Sequence, residues 1–216
     1  MVHVAAAAAP SPSRHEQRQA MSYEDFLALS DGGVQAEWIN GEAIVFMPPT
    51  LRHQRLIIFF AELLQRYCRV RALGEILIAP FEMRALPDGP AREPDILFVA
   101  RQHLERLSEQ RLDGPADLIV EIVSESSVYR DRVDKFEEYE AERVAEYLLI
   151  DPRAGHERID YHRLGDDQKY CLVVPDTAGC YHSAALPGLW FRADWFWQTL
   201  LPDTDPLLRA LLASEC

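Results

Sequence analysis

The sequence predicts an α/β (α+β mixed-sheet) fold in which helices flank a central mixed β-sheet, and two patterns predict it. Apolar runs with almost no polar interruption are typical of strands buried on both faces of a sheet; they occupy residues 95–100, 117–124 and 145–151. In residues 50–70, apolar side chains instead recur three and four positions apart, which is the spacing of one helical face. Segments of both kinds along one chain predict a layered protein with a buried sheet.

A β-hairpin is expected near the amino terminus. Its strands are predicted at residues 35–39 and 42–47. Between them lies Asn40-Gly41, a pair that tolerates the positive φ of a two-residue turn. With that turn, Glu37 and Glu42 lie on the same face of the hairpin, where they are either solvated or turned toward a site.

The predicted helix at 50–70 carries two features of functional interest. His53 extends the apolar stripe by one turn, and its place in the first turn directs it toward the edge of the sheet. A core or capping role is the simpler alternative for this histidine. The stretch between Pro49 and Gly74 also holds five arginines, which form either a local nucleic-acid-binding patch or a solvated outer face. They are Arg52, Arg55, Arg66, Arg69 and Arg71.

The remaining elements follow from turn residues and periodicity. We expect helices at 23–28, 126–143, 189–200 and 206–213, a polar helical insert at 102–112, and strands at 75–79 and 81–86. Asp, Gly and Pro turns separate three further pieces and predict a C-terminal β-meander at 157–164, 169–175 and 181–186. We interpret Trp190, Trp195 and Trp197 as core or dimer contacts, since nothing polar is arranged around them in the sequence.

Two of the predicted central strands each carry one acidic residue among apolar neighbours. Asp95 begins the strand that follows Pro94, and Glu121 lies inside the next one. An ionised carboxylate in such surroundings is costly unless it is paired, hydrogen-bonded or bound to a metal. If the strands are neighbours, the two acids share a site, and hard oxygen ligands of this kind suit Mg²⁺ or Mn²⁺. The pair therefore predicts a metal site able to activate water and neutralise charge on a phosphodiester.

Lysine is rare in this chain. Of 22 basic residues only Lys135 and Lys169 are lysines. A lysine in such an arginine-rich background can mark the need for a compact, titratable amine that orients or deprotonates a water. The simpler alternative for Lys135 is an exposed helical pair with Asp131, four residues earlier, worth a few tenths of a kcal/mol.

Composition limits the class of protein. A formal charge of −13 opposes loose binding of nucleic acid, because phosphate contacts rely on Lys and Arg. No apolar run reaches the roughly 18 residues of a membrane span, so no membrane partner is expected. Four scattered cysteines form neither a zinc motif nor a disulfide scaffold, which favours reduced thiols in the cytoplasm. Residues 1–20 are expected to form a disordered leader and residues 21–216 a single domain.

Several motifs occur in the order found in a known family. They are Glu37-Trp38-Ile39-Asn40-Gly41-Glu42, Pro48-Pro49 with His53, Glu93-Pro94-Asp95, Asp117 through Ser124, Asp131 through Lys135 with Tyr139, and Glu146 through Pro152. Together they closely resemble the Uma-two (Uma2) family of "putative restriction endonucleases", within the PD-(D/E)XK nuclease superfamily. The likeness covers residues 21–200.

The resemblance implies a restriction-endonuclease-like core in which Asp95 and Glu121 are the metal-binding acids. In the superfamily pattern a lysine lies two residues after the second acid, where this chain has Val123. The resemblance implies that the amine comes from the following helix instead, which makes Lys135 the matching residue. It also implies accessory roles for Glu37 and His53.

Two functional hypotheses follow. The first is a Mg²⁺- or Mn²⁺-dependent endonuclease that hydrolyses phosphodiester bonds of DNA. Its expected catalytic residues are Asp95, Glu121, Lys135, Glu37 and His53. The second is a nuclease fold that has become a weakly active or inactive binding module, with a homodimer formed through the Trp-rich carboxy-terminal region. A phosphoesterase acting on another substrate would share the same site.

Overall fold

The computed structural model describes residues 16–30, 36–46 and 49–213. In chain order, the elements within these ranges are β1 (Glu16–Ala20), α1 (Tyr23–Ser30), β2 (Ala36–Ile39), β3 (Glu42–Phe46), α2 (Leu51–Arg71), β4 (Gly74–Ile78), β5 (Glu82–Arg84), β6 (Ile96–Ala100), a 3₁₀ helix (Arg101–Arg106), β7 (Arg111–Asp113), β8 (Leu118–Ile122), a π-helix (Arg130–Asp134), α3 (Lys135–Ala141), β9 (Glu146–Asp151), β10 (Arg158–Leu164), β11 (Tyr170–Leu172), β12 (Cys180–His182), β13 (Trp190–Arg192), a 3₁₀ helix (Ala193–Phe196) and α4 (Thr204–Ala213). Every helix in these ranges is too short or too polar to cross a bilayer.

A six-stranded mixed sheet forms the centre of the molecule. Its strand order is β11-β10-β9-β8-β6-β4. The β8–β9 pair is parallel and every other neighbouring pair in this sheet is antiparallel. All residues of β8 and β9 are buried, as their continuous apolar runs predict. The predicted α/β class with a mixed sheet flanked by helices is therefore confirmed.

Each face of this sheet has its own apolar layer, because successive side chains of a strand point to opposite faces. On one face, Ile96 and Phe98 of β6 share a cluster with α2, α4 and the β12–β13 region. On the other face, Leu97 and Val99 pack with Tyr139 of α3. The alternation along β8 places Leu118, Val120 and Ile122 on the α2 face, and Ile119 and Glu121 on the α3 face.

Helix α2 begins where its sequence predicts. Thr50 caps it, since the Thr50 hydroxyl accepts a hydrogen bond of 3.2 Å from the backbone N–H of His53. The helix ends at Ala72, which adopts the left-handed conformation with φ of 52°. This geometry puts His53 in the first turn, as expected from the sequence.

A second, three-stranded sheet has the order β1-β3-β2. Its β2–β3 hairpin turns at Asn40-Gly41, where both φ values are positive, and it pairs Ile39 with Glu42 as expected. The backbone of Trp38 exchanges hydrogen bonds of 2.9 and 2.8 Å with Ala91. This bridge attaches the hairpin to the segment that leads into Asp95, so that Glu37 lies beside the central sheet.

Three expectations about local structure need correction. The insert at 102–112 is a short 3₁₀ helix followed by β7, which finds a parallel partner in β5. The segment 189–200 is not one continuous helix but consists of β13 followed by a short 3₁₀ helix. Strand β13 pairs with β12, which therefore leaves the predicted meander. Residues 16–20, assigned to the leader, form β1 against β3, while residues 1–15 lie outside the described ranges. In each case a tertiary strand partner overrides the local pattern.

The tryptophans and cysteines also have defined environments. Trp190 and Trp195 are buried in the core of the chain itself, which supports the core interpretation for these two side chains. Within the described ranges, Cys68 and Cys171 are free thiols.

The end of α3 contains a buried carboxyl group, Glu142, whose two oxygens accept no hydrogen bond from the described residues. Burial and the nearby Glu138 raise the pKa of Glu142 to about 7. The folded state thus holds a proton that the unfolded chain releases near pH 4.5, so this group lowers stability as pH rises between those values.

We therefore predict that Glu142→Gln increases the free energy of unfolding at pH 8 by about 1 to 2 kcal/mol, with little change at pH 4.5. Urea denaturation at both pH values measures this effect. Glu137→Gln, at an exposed position of the same helix, is the control and should change stability equally little at both. An equal gain for the two variants at pH 8 would contradict the prediction.

Candidate active site

Asp95 and Glu121 lie next to each other across two neighbouring strands. Strands β6 and β8 are antiparallel, with Ile96 opposite Val120 and Leu97 opposite Ile119. One further step along this register puts Asp95 opposite Glu121, on the α3 face of the sheet. Both residues are buried, at 7% and 4% exposure. The pairing of these strands therefore brings the two sequence-predicted acids to one place.

Asp95 is held through a single oxygen. Its Oδ2 accepts a hydrogen bond of 2.7 Å from the backbone N–H of Ile122 and lies 3.1 Å from Nε2 of His53. Burial alone would lower the pKa of His53, but the hydrogen bond and the charges of Asp95, Glu121 and Asp131 raise it. The protonated imidazole is therefore favoured beside Asp95, while Oδ1 accepts no hydrogen bond from the described part of the chain.

Lys135 is the first residue of α3, directly after the π-helix. Its Nζ lies 2.6 Å from Oε1 of Glu121, 3.0 Å from Oε1 of Glu37 and 3.9 Å from Oδ1 of Asp131. Only 3% of the lysine is exposed. The alternative of an exposed Asp131–Lys135 surface pair is thus wrong, because the amine is buried between three acids.

Tyr139, one turn further along α3, also faces the acids. Its hydroxyl donates a hydrogen bond of 3.3 Å to Oε1 of Glu121. The same Glu121 oxygen therefore receives both Lys135 and Tyr139, and Oε2 accepts no hydrogen bond from residues in the described ranges. Asp95 and Glu121 each keep one carboxylate oxygen for a further ligand.

The two glutamates that share the ammonium differ in charge. Burial would raise the pKa of Glu37, but Lys135 and Arg92 lower it to about 2, so Glu37 is ionised. Burial raises the pKa of Glu121 to about 8; Lys135 opposes this, whereas the charges of Asp95 and Asp131 add to it. Lys135 is the main cation beside Glu121, whereas Glu37 has both Lys135 and Arg92, so Glu121 is the weaker acid of the two.

Asp131 and Lys135 complete the buried cluster. Burial likewise raises the pKa of Asp131, with Lys135 and Arg130 opposing the shift and Asp95 reinforcing it. Burial would lower the pKa of Lys135, but Glu121, Glu37 and Asp131 raise it. An amine with a raised pKa stays protonated at neutral pH, so Lys135 can donate hydrogen bonds and neutralise charge but cannot accept a proton from water in this arrangement.

The free carboxylate oxygens of Asp95 and Glu121 fit a divalent ion such as Mg²⁺, which needs few ligands from the protein. Among the described residues, no group of three or more His, Cys, Asp and Glu side chains is arranged to hold a metal. Mg²⁺ is commonly bound through one or two carboxylates, with water and substrate phosphate completing its shell. The open oxygens of Asp95 and Glu121 match that pattern, since a bound cation would favour the ionised form of Glu121.

Sequence reasoning missed one member of the site. Arg92 is 1% exposed, and its guanidinium contacts Glu37 and Glu138. Its only sequence signal is its place immediately before the Glu93-Pro94-Asp95 motif. Asp131 was identified only as a helical neighbour of Lys135.

The predicted arginine patch on α2 is partly used inside the molecule. Arg52 donates to the backbone carbonyls of Phe196 and Gln198. Arg66 pairs with Asp205 at 2.5 Å and bonds to Thr204. These two arginines tie α2 to the carboxy-terminal segments, which argues against a patch formed by all five.

The fold and the site define a class of protein: a mixed-sheet α/β protein with two acids and a lysine buried at adjacent strand and helix positions. A family model described as "Putative restriction endonuclease", Uma2, matches residues 23–194. The chain belongs to the Uma2 family. The resemblance found in its motifs is thereby confirmed.

A solved structure has a similar fold. It is described as a "putative nuclease belonging to DUF820" from Anabaena variabilis. The match has a TM-score of 0.57 and 15% sequence identity, and it covers 81% of this chain and 96% of the other. At this identity the likeness concerns the fold. No curated protein matches the chain significantly.

We predict that Lys135→Met lowers the free energy of unfolding at pH 8 by about 3 to 5 kcal/mol, because it leaves buried carboxylates without their cation. The loss should shrink toward pH 5, because Lys135 helps to hold the pKa of Glu37 at about 2, and without that cation Glu37 takes up a proton more readily as pH falls. Lys169→Met is the control: Lys169 is an exposed partner of Glu140, and its loss should cost less than about 1 kcal/mol. Urea titrations at pH 5 and 8 test this, and a pH-independent loss for Lys135→Met would count against the proposed charge arrangement.

Proposed function

We propose that this protein is a Mg²⁺- or Mn²⁺-dependent endonuclease that hydrolyses phosphodiester bonds of DNA. The observation that supports it most is the register of β6 and β8, which brings Asp95 opposite Glu121. The buried ammonium of Lys135 lies at the same point, 2.6 Å from Glu121. Two open carboxylate oxygens beside a fixed cation suit the binding of a metal ion and a phosphate group.

Asp95 and Glu121 would hold the ion in this proposal. When bound, it would supply Lewis-acid polarisation of a phosphate oxygen and a lowered pKa for a water. The backbone N–H of Ile122 and the imidazole of His53 fix Oδ2 of Asp95 and leave Oδ1 free. The role of His53 is to orient this carboxylate.

Lys135 acts as a fixed positive charge rather than a base. Its raised pKa keeps the amine protonated, so it can donate a hydrogen bond to an oxygen on which negative charge develops. Glu37 also contacts the amine, at 3.0 Å. Glu37 is thereby an accessory residue that acts through Lys135.

The formal charge of −13 bears on how DNA is bound. A strongly acidic protein gains little from nonspecific attraction to phosphates, so productive binding depends on contacts close to the site. We infer weak affinity for DNA in the absence of a divalent ion and a shallow salt dependence, because few phosphates are neutralised by the protein.

A second candidate function is a binding module with little or no catalytic activity. One observation favours it: Lys135 bonds directly to Glu121, the same acid that a metal needs. If the amine is not displaced from Oε1, the ion must rely on the remaining oxygen of Glu121 and on Asp95. Metal-binding measurements separate the two functions.

We predict that the purified protein nicks supercoiled plasmid DNA with Mg²⁺ or Mn²⁺, and that EDTA abolishes the reaction. Asp95→Asn and Asp95→Ala should each reduce the rate by at least about 100-fold, the scale of losing one key electrostatic group. Asp113→Asn, at an exposed position of β7, is the control and should cleave like the unaltered protein. Equal cleavage by the Asp95 variants would refute the proposal.

We also predict that Mn²⁺ affinity increases by up to about tenfold per pH unit up to about pH 8, because the ion competes with the proton on Glu121. Isothermal titration calorimetry at several pH values, in buffers of different ionisation enthalpy, should detect close to one proton released per ion below pH 8. Glu121→Gln should abolish tight binding. Tight binding that survives Glu121→Gln would place the ion elsewhere, and the absence of binding by the unaltered protein would favour the binding-module function.

A further inference from the structure

We propose that Arg92 is a positioning residue of this site: it holds Glu37 so that the ammonium of Lys135 stays between Glu37 and Glu121. This inference rests on the proposed function and extends it to a further residue. The placement of Lys135 can nevertheless be tested without any cleavage assay. Within the described ranges, the side chain of Arg92 contacts Glu37 and Glu138 but neither Asp95 nor Glu121. Arg92 therefore acts through Glu37.

The guanidinium of Arg92 connects β2 with α3, the helix that carries Lys135. Its Nη1 donates a hydrogen bond of 2.6 Å to Oε2 of Glu37 on β2. Its Nε and Nη2 donate to the carboxylate of Glu138 on α3 at 2.6 to 2.8 Å. The other oxygen of Glu37, Oε1, receives Lys135 at 3.0 Å. Glu37 therefore has one oxygen for each cation.

This arrangement solves a problem of charge. A single ammonium lies between two buried glutamates, and alone it would be drawn to whichever carboxylate is more fully ionised. Arg92 supplies Glu37 with its own cation, which leaves the amine of Lys135 free to contact Glu121 at 2.6 Å as well. Since a forked guanidinium matches two carboxylates at once, lysine at position 92 could serve only one of them.

The backbone around Arg92 is held independently of its side chain. Arg92 and Met83 exchange backbone hydrogen bonds of 2.7 and 3.0 Å, which join this segment to β5. A substitution at position 92 thus removes the guanidinium without removing the pairing that leads the chain into Asp95. The expected effect is local and falls on Glu37 and Lys135.

The two lysines of the chain make a direct test possible. Lys135 is 3% exposed, whereas the side chain of Lys169 is 70% exposed. Acetylation of the folded protein with a limiting amount of acetic anhydride, read out by peptide mass spectrometry, should modify Lys169 readily and Lys135 hardly at all. In Arg92→Met the acetylation rate of Lys135 should rise about tenfold, which corresponds to a modest increase in local opening, with Lys169 unchanged.

Arg163→Met is the matched control. Arg163 pairs at 2.8 Å with Glu146, which is also a buried glutamate of the central region but not part of this site. Its loss should leave the acetylation of Lys135 at the level of the unaltered protein. The free thiol of Cys68, 2% exposed, monitors global unfolding in the same sample, because it reacts with a thiol reagent only when the core opens.

Glu37→Gln tests the route by which Arg92 acts, and it serves if Arg92→Met fails to fold. It should expose Lys135 to a similar degree, and Arg92→Lys should give an intermediate rise. The proposal would be overturned if Lys135 of the folded variants, with Cys68 still unreactive, were acetylated as slowly as in the unaltered protein. The proposal would also be overturned if the labelling of Lys135 rose only in parallel with the labelling of Cys68 in every variant. Arg92 would then contribute to the general stability of the fold and not to the placement of Lys135.

The cleavage assay adds a separate readout. If the unaltered protein cuts DNA, Arg92→Lys should lower kcat about tenfold or more while KM for DNA stays within about twofold, as expected for a group that orients a charge used in the transition state. A change confined to KM would contradict positioning through Lys135. If the unaltered protein does not cut DNA, the proposed function fails, and the labelling result still decides the role of Arg92.

Discussion

The buried ammonium of Lys135 is the interaction on which the rest of the site depends. It joins α3, through its own backbone, to Glu121 on β8 and to Glu37 on β2. A charge this deeply buried is stable only where its hydrogen-bonding capacity is satisfied by opposite charge. The lysine therefore fixes the distance between the helix, the central sheet and the amino-terminal hairpin, and it explains why a hairpin outside the main sheet contributes a buried glutamate.

The same cluster is not balanced in charge. Lys135 and Arg92 stabilise Glu37 as a carboxylate. The pKa values of Glu121 and Asp131 are raised, because burial and mutual repulsion exceed what Lys135 provides to both and Arg130 provides to Asp131. Proteins normally avoid such local conflict, and where it occurs a functional site is a common reason. An additional cation at the open oxygens of Asp95 and Glu121 would relieve the repulsion, which connects the electrostatics to the proposed metal-dependent chemistry.

Membership of the Uma2 family and the fold likeness to a DUF820 protein define the scaffold. Neither decides the reaction, because one fold supports many functions and activity belongs to the site. The position two residues after Glu121 is occupied by Val123, a core residue on the α3 face. The amine reaches the same face from α3, so a residue distant in sequence supplies the charge where the strand itself supplies packing.

The sequence by itself determined the central strands, helix α2 and the identity of the acids, because continuous apolar runs, a helical stripe and isolated carboxylates are local signals. It failed at 189–200 and 102–112, where β13 and β7 depend on partners remote in sequence. Only the tertiary structure decided that Asp95 lies opposite Glu121, that Lys135 is buried rather than solvated, and that Arg92 supports Glu37. Those facts depend on strand register and on the packing of α3 against the sheet, and long-range pairing of this kind leaves no periodic trace in the chain.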